Sequence, residues 1–294
     1  MEKYLQYYYN ISGINIYDND NSYKFELGND KYIFFPYCGD IKYLNEVFDF
    51  NNDIIRQGVA CNQIVLTKDN MPFVVANNKN YVLIKYKKEY EKKVTINDIL
   101  NFKYYVHHNK FNCSNWKNLW ETKMNYFEYQ LNQFGYKHPI LRESFGYYSG
   151  YVELAIQLLN NLKVDNTYLA HRRIKKDYTL YNLFDPFNLI IDNRVRDIAE
   201  YYKSIMFEEY SFDNLVKNVS IIGFNDYEYQ LFFVRMLYPT FYFDRYEKIM
   251  NDNLNDEMIK PIIKKTLQYE QYIKKLYNYI KTVSGLPIIE WLEN

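Results

Sequence analysis

Glycine is scarce in this sequence, with nine glycines among 294 residues beside 35 tyrosines. Loops that cradle phosphate need glycine, because only a backbone without side chains lets several N–H groups close on the oxygens. Neither G-x-G-x-x-G nor G-x-x-x-x-G-K-[ST] occurs anywhere in the chain. A nucleotide site of either kind is therefore excluded.

Cysteine is also rare, and the three residues Cys38, Cys61 and Cys113 are widely spaced. They form no C-x-x-C pair. This spacing excludes a disulfide framework and argues against a zinc site. We expect buried thiols in a reducing compartment.

Positive and negative charges balance, since Lys+Arg and Asp+Glu both number 36. A chain without a basic field has no electrostatic means of holding nucleic acid or an anionic membrane surface, so both partners are excluded. No apolar run approaches the ~18 residues of a membrane span, and the start MEKYLQYYYNISG lacks the features of a signal peptide. We therefore expect no membrane insertion and synthesis in the cytoplasm.

The first 90 residues show the pattern of a small sheet with one helix. Runs rich in Tyr, Phe and Ile at 23–27 and 32–35 flank the turn residues 28–30, which predicts a β-hairpin. Apolar residues then recur at helical spacing from Asp40 to Arg56. Three short strand-like runs follow, at 64–66, 73–75 and 81–84.

A charged stretch from Lys85 to Lys93 shows no apolar periodicity and is interpreted as an exposed linker. It predicts two lobes, residues 1–90 and residues 91–294. The second lobe has a helical pattern, and Ser114 is a candidate N-cap. Helices are predicted at 95–107, 114–134 and 144–162, followed by amphipathic stretches at about 211–218, 225–250 and 255–282.

Trp116 and Trp120 lie one turn apart in the helix predicted at 114–134. A pair at this spacing either stacks a ligand or packs into the protein core, and core packing is the ordinary outcome. We therefore expect both indoles in the core of the larger lobe.

Four blocks in the second half of the chain carry the most specific signal, through their order and spacing rather than singly. They are FGYYSG at 145–150 leading into ELAIQ at 153–157, AHRR at 170–173, DP at 185–186 with Asp192 and RDIAEY at 196–201, and RMLYPTFYFD at 235–244. Together they resemble the YutH branch of the CotS-type spore coat proteins. With a weaker correspondence in the first lobe, the resemblance covers nearly the whole chain.

The resemblance implies an α+β, bilobal fold of the aminoglycoside phosphotransferase type, similar to protein kinases, with a small β-rich N-terminal lobe and a large helical C-terminal lobe. Active phosphotransferases of this type carry His-Gly-Asp and an Asn five residues after the Asp. Counted from His171, this chain has Arg172 at the Gly, Arg173 at the catalytic base and Tyr178 at the metal-binding Asn. A guanidinium cannot accept a proton, and a phenol is a poor ligand for Mg²⁺.

The first lobe lacks a further feature that the resemblance implies for an active enzyme. Its strand at 32–36 offers aromatic residues where a phosphate-binding Lys would pair with a Glu such as Glu46 of the following helix. Lys31 at the start of the strand is the nearby alternative, and a solvated strand-edge lysine is its simpler interpretation.

Three residues occupy loop-supporting positions that the resemblance implies, namely His171, Arg173 and Asp197. A general-base role for His171 is disfavoured by the adjacent arginines, so we interpret it as structural. Asp197 is predicted to cap a helix running from Ile198 to Phe207 and to bind loop amides.

Two further sets of candidates remain in the same region. Asp185 or Asp192 stands near the position of the metal-binding aspartate, although a single carboxylate binds Mg²⁺ weakly. The basic cluster of the loop could hold a phosphorylated or acidic partner through bidentate contacts, or simply pair with acidic neighbours such as Asp177. Its members are Arg172, Arg173, Lys175 and Lys176.

These losses favour a pseudokinase without catalytic residues or a cofactor, which acts as a scaffolding or assembly component in sporulation. Its expected partners are spore coat or other sporulation proteins of endospore-forming Firmicutes, and its expected destination is the spore coat. The alternative is an active small-molecule phosphotransferase that uses ATP and Mg²⁺ with a rewired site, in which Asp177, Asp185 and Asp192 supply the carboxylates. Exposed tyrosines would also suit peroxidase-type cross-linking into a coat, an idea that requires most tyrosines not to be buried.

Overall fold

The computed structural model describes residues 1–19, 22–106, 108, 110–164 and 168–293. The chain divides into two compact units. Unit 1 comprises Met1–Thr95, Tyr104–Phe111 and Asp177–Ile191, and unit 2 comprises Ile96–Lys103, Asn112–Lys176 and Asp192–Asn294. Each unit is therefore assembled from three segments of the chain.

Unit 1 is built on an antiparallel sheet, whose longer strands are rich in aromatic and β-branched residues. The strands are β1 (Tyr17–Asn19), β2 (Ser22–Leu27), β3 (Asp30–Tyr37), β4 (Gln63–Ile64), β5 (Val74–Ala76) and β6 (Lys79–Lys87). Their order is β1-β2-β3-β6-β4, and β5 pairs with β6 beside this path. Gly28 turns the chain between β2 and β3 at φ 62°, a backbone angle that favours glycine, so the predicted hairpin is confirmed.

Two helices cover the two faces of this sheet. Helix α1 (Glu2–Tyr9) places Leu5 in a cluster with Phe25 and Phe34, and helix α2 (Ile41–Arg56) packs its apolar side on the opposite face. The prediction of α2 is confirmed, and Asp40 caps it by accepting a hydrogen bond from the amide of Lys42 at 3.0 Å. Helix α1 was not predicted, because its run of tyrosines lacks the periodicity of an amphipathic helix.

The stretch from Lys85 to Lys93 is not the exposed linker that its charge predicts. Strand β6 continues to Lys87, a 3₁₀ helix follows at Lys88–Glu91, and Tyr86 and Tyr90 are both buried. Their rings contact aromatic residues of the 177–191 segment, which includes the short helix α6 (Leu180–Leu183). The prediction was wrong because buried tyrosines alternate with lysines whose charged ends remain in solvent.

Unit 2 is mainly helical. Its helices are α3 (Ile96–Asn101), α4 (Trp116–Phe134), α5 (Pro139–Leu159), α7 (Val195–Ile205), α8 (Ser211–Ile222), α9 (Asp226–Leu237), α10 (Thr240–Asp252), α11 (Lys260–Ile263), α12 (Thr266–Val283) and α13 (Glu290–Glu293), with 3₁₀ turns at Gly135–Lys137 and Asp256–Ile259. Strand β7 (Tyr168–His171) belongs to this unit, and β8 (Leu189–Asp192) runs across the division. The presence of one sheet-based unit and one mainly helical unit confirms the predicted α+β class.

Several helix boundaries differ from the predictions for local reasons. The stretch predicted at 225–250 is two helices, because Pro239 has no N–H to continue the first one. Helix α3 ends at Asn101, well before the predicted end at residue 107, which lies outside the described residues. The cap of α4 is Asn115 rather than Ser114, since the Asn115 side chain accepts from the amide of Asn118 at 3.3 Å.

The burial of individual side chains bears on three further expectations. Trp116 and Trp120 are both buried, which confirms core packing. The expectation of buried thiols was wrong for Cys38, which is exposed after β3, while Cys61 and Cys113 are half-buried. Fourteen of the 35 tyrosines are buried and eight are exposed, so the cross-linking idea stays a prediction. No helix in the described part of the chain is long and apolar enough to cross a bilayer.

Candidate functional site

His171 ends strand β7 and is completely buried. Its backbone amide donates to Asp197 Oδ1 at 2.9 Å, its Nδ1 lies 2.7 Å from Asp197 Oδ2, and its ring packs on Phe102 at 4.6 Å. Helix α7 begins at Val195, so Asp197 lies within its first turn and not before it as predicted. The Asp197 carboxylate thus ties the end of β7 to the start of α7.

Asp192 has no exposed surface and is surrounded by donors. The indole Nε1 of Trp116 lies 3.0 Å from both carboxylate oxygens, the amide of Asn193 donates to Oδ1 at 2.7 Å, and Arg196 Nη1 donates to Oδ2 at 2.6 Å. Burial raises the pKa of Asp192, an effect that the charges of Arg196 and Arg235 oppose. Three N–H donors thus share the roughly four acceptor positions that a carboxylate possesses.

Asp185, the other candidate metal ligand, belongs to unit 1, whereas Asp192 belongs to unit 2. The Asp185 side chain accepts from the amide of Phe187 at 3.0 Å, a local turn contact. Across the described residues, no group of three or more His, Cys, Asp or Glu side chains is placed to hold a metal ion.

The four predicted anion-binding residues have different surroundings. Arg172 and Arg173 line a cavity of about 440 Å³ in unit 2, and Arg173 Nη2 donates to Asp244 Oδ1 at 2.6 Å. Lys176 pairs with Glu208, and Lys175 is exposed. The structure therefore brings the two arginines of the cluster to one cavity.

This cavity, called here the arginine cavity, is rich in cationic side chains. Besides Arg172 and Arg173 it is lined by Lys123 from α4, Arg196 from α7 and Arg235 from α9, against two carboxylates. The remaining lining residues are Cys113, Leu119, Trp120, Tyr238, Thr240, Phe243 and the two acids Asp244 and Glu247.

A buried network of ion pairs is connected to the arginine cavity through Arg235, which lines the cavity. Glu200 accepts from Lys203 at 2.6 Å and from Arg235 Nε at 2.9 Å, and all three side chains are at most 6% exposed. Burial alone would raise the pKa of Glu200, but Lys203 and Arg235 hold it well below its usual range. Burial lowers the pKa of Lys203 to about 7, with Glu200 opposing and Arg235 adding to this effect.

Sequence reasoning missed most of this network. It recognised 196–201 as a family block but assigned no role to Arg196, Glu200, Lys203 or Arg235. A usable signal was present, because charges at 196, 200 and 203 recur at helical spacing within a helix whose other residues include Ile198 and Tyr202. Charged residues on one side of such a helix are usually solvated, and only the tertiary structure shows that they are buried.

Lys31 and Glu46, the two residues of the first lobe that were considered for a phosphate-binding pair, both form ion pairs at the surface. Lys31 contacts Glu91 at 2.7 Å and Glu26 at 3.2 Å, and Glu46 of α2 contacts Lys110 at 3.3 Å. Aromatic side chains of the 177–191 segment pack on the same sheet face as α2, with Phe187 lying 6.0 Å from Phe35 between ring centroids.

Comparison with known proteins identifies the relationship. A family model described as "Spore coat putative kinase YutH" matches residues 2–279. No curated protein matches the sequence. Among solved structures, an aminoglycoside phosphotransferase from Alicyclobacillus acidocaldarius is similar with a TM-score of 0.61 at 9% identity, over 92% of this chain and 93% of that one.

A second structure, the choline kinase LicA from Streptococcus pneumoniae, matches with a TM-score of 0.46 at 10% identity, over 95% of this chain and 99% of that one. The first of these similarities shows that the chain has the aminoglycoside phosphotransferase-like, kinase-like fold. The family model confirms the predicted resemblance over nearly the whole chain.

Proposed function

The chain belongs to the spore coat YutH family, and we propose that it acts there as a catalytically inactive, kinase-like scaffolding or assembly component in sporulation. Family membership supports the sporulation context, with synthesis in the cytoplasm, incorporation into the spore coat and other coat proteins as partners. The geometry of the loop supports the absence of catalysis.

The enclosure of Asp192 is the observation that carries this proposal. Phosphoryl transfer needs metal ions held by carboxylate and amide oxygens, and Mg²⁺ retains several waters in near-octahedral geometry. Asp192 is fully buried, and Trp116, Asn193 and Arg196 already use its oxygens. A metal ion would have to displace Arg196 and admit water into a closed core.

Arg173 supports the same conclusion at the position of the catalytic base. A guanidinium is always protonated and only donates hydrogen bonds. Arg173 donates one to Asp244 at 2.6 Å. Arg173 could therefore not accept the proton of a substrate hydroxyl at this position.

The alternative, an active small-molecule phosphotransferase, gains support from the arginine cavity, whose size suits a small acceptor. It needs two of the carboxylates Asp177, Asp185 and Asp192 to converge on a metal ion. The oxygens of Asp192 already accept hydrogen bonds from Trp116, Asn193 and Arg196. We therefore favour the inactive protein.

A thermal-shift titration with ATP, GTP and ADP, each with and without Mg²⁺ or Mn²⁺, tests the proposal. A nucleotide at one hundred times its Kd stabilises the folded state by about 2.7 kcal/mol. This corresponds to a rise in Tm of about 5 °C for a chain of this size. We expect no metal-dependent rise.

The Asp192→Asn variant is the matched control, since it removes the charge and retains an acceptor for Trp116. A metal-dependent nucleotide shift in the wild type that Asp192→Asn abolishes would contradict the proposal and support the phosphotransferase. A fluorescent fusion in sporulating cells tests the coat assignment separately, and a signal that never reaches the coat would refute it.

A further inference from the structure

We propose that the arginine cavity binds a small organic molecule that carries a phosphate monoester or a similar oxyanion, with Arg235 as the buried contact and Arg172 at the rim. This inference goes beyond the proposed function, because such binding requires neither nucleotide nor metal.

The charges on the cavity wall favour an anion. Its five cationic side chains face two carboxylates. Both carboxylates are already paired, Asp244 with Arg173 at 2.6 Å and Glu247 with Lys123 at 3.1 Å. Positive charge therefore exceeds negative charge along the wall, and arginine is the residue best suited to bidentate contact with phosphate.

An unsatisfied hydrogen-bond donor of Arg235 is an independent reason to infer a ligand in the cavity. Its side chain is 6% exposed and its Nε donates to Glu200 at 2.9 Å, whereas its buried Nη1 has no hydrogen-bond partner within the described part of the chain. A buried donor of a charged group without a partner is costly, and native proteins rarely leave one unsatisfied. An oxyanion in the cavity would accept this bond.

The ion pairs behind Arg235 leave its charge only partly balanced. Glu200 is shared between Arg235 and Lys203, while Arg196 pairs with Asp192. Three buried basic side chains thus stand beside two buried carboxylates. The pKa of Lys203 is lowered to about 7, first by burial and further by the charge of Arg235, against the opposing charge of Glu200.

The other side of the cavity suits an apolar or aromatic body on the ligand. Leu119, Trp120 and Phe243 line it, and the Trp120 indole already stacks on Tyr238 at 5.0 Å and on the Arg235 guanidinium at 5.5 Å. A volume of about 440 Å³ lies within the range of small-molecule sites and is small for a folded partner. We therefore assign a small molecule in preference to a phosphorylated protein.

Isothermal titration calorimetry of the full chain, without nucleotide or divalent metal, tests this assignment. The probes are phenyl phosphate, inorganic phosphate and the neutral analogue benzyl alcohol, in chloride buffer of constant ionic strength. The variants are Arg172→Gln, which changes an exposed rim residue, and Arg235→Lys, which keeps the charge but removes the planar fork. Arg142→Gln, an exposed arginine on α5 away from the cavity wall, is the matched control.

We expect saturable binding of phenyl phosphate that is stronger than that of inorganic phosphate, and none of benzyl alcohol. Arg172→Gln and Arg235→Lys should each weaken binding at least tenfold, which is about 1.4 kcal/mol. Arg142→Gln should leave the Kd unchanged. Circular dichroism checks that each variant is folded, and if Arg235→Lys is not, Arg172→Gln decides the question alone.

Three results would overturn the inference. The first is a failure of the wild type to bind either phosphate compound saturably, and the second is binding of phenyl phosphate by Arg172→Gln that is as tight as that of the Arg142→Gln control. A phosphotyrosine peptide that binds more tightly than phenyl phosphate through the same arginines would replace the small molecule with a protein ligand. None of these results depends on nucleotide binding, so the proposed loss of catalysis is tested separately.

Discussion

Replacement of Arg196 by methionine tests the buried network most directly. Arg196 donates to Asp192 at 2.6 Å, to the carbonyl oxygen of His171 at 2.8 Å and to that of Arg172 at 3.3 Å. Methionine fills a similar volume but donates nothing. The substitution therefore leaves Asp192 with the donors Trp116 and Asn193 and without a countercharge in contact.

The expected cost follows from the burial of both partners. The side chain of Arg196 is 8% exposed and that of Asp192 is 0% exposed. Loss of one partner of a buried ion pair costs about 3–5 kcal/mol of unfolding free energy. The His171 carbonyl also loses a donor, which adds roughly 1 kcal/mol. We expect Arg196→Met to destabilise unit 2 by about 4 kcal/mol or more.

Guanidinium unfolding followed by tryptophan fluorescence measures this cost, since all three tryptophans lie in unit 2. The same substitution at Arg142, which is exposed on α5 of unit 2, should change stability by less than about 0.5 kcal/mol. Combined with Asp192→Asn, Arg196→Met should cost about 2 kcal/mol less than the sum of the single changes. A cost below about 1 kcal/mol for Arg196→Met, or strictly additive costs, would refute the reasoning.

Three further predictions concern other side chains. The pKa of Lys203 in the folded protein lies near 7, below its ordinary 10.5, so between these two pH values the unfolded chain holds a proton that the folded chain has lost. The stability of the wild type should therefore rise relative to that of Lys203→Met as the pH increases from about 7 towards 10. A stability difference that does not depend on pH, measured by denaturant unfolding, would contradict this. Asp197→Ala removes both hydrogen bonds to His171 and should lower the free energy of unfolding by about 2–4 kcal/mol in the same denaturant assay. A decrease of less than about 0.5 kcal/mol would show that this pair does not order the loop. Tyr129 and Tyr136 are 61% and 72% exposed, so phenylalanine at both positions should lower dityrosine fluorescence after peroxidase treatment, and an unchanged yield would exclude them as cross-linking sites.

The sequence predicted the small sheet well because its signals are local. The turn residues at 28–30 and the helical spacing from Asp40 to Arg56 are each signals within a short stretch of chain, and each has the predicted position in the structure. Local signals failed where burial depends on distant partners. Tyr86 and Tyr90 look like part of a charged surface until Tyr181 and Phe184, about 95 residues later in the chain, cover them.

The candidate site divides in the same way. Motif positions identified His171, Arg173, Asp192 and Asp197, because a family pattern preserves their order along the chain. The pairing of Arg173 with Asp244 joins residues 71 positions apart, and that of Glu200 with Arg235 joins residues 35 apart. No periodicity encodes such pairs, so the arginine cavity could be found only in three dimensions.

The loss of phosphotransfer groups and the presence of the cavity are physically linked. Under the proposed function, Arg173 stands in place of the base and also contributes a cation to the cavity wall, while Arg196 pairs with Asp192 and also lines the cavity. A protein that served only as a scaffold would gain stability by replacing Arg235 and its neighbours with apolar residues of similar size, because buried ion pairs often cost more than they return. Here Arg235 instead retains a buried donor without a partner beside an open cavity. This arrangement lowers the stability of the folded protein. An anion that occupies the cavity when the protein performs its function best explains why the arrangement is present.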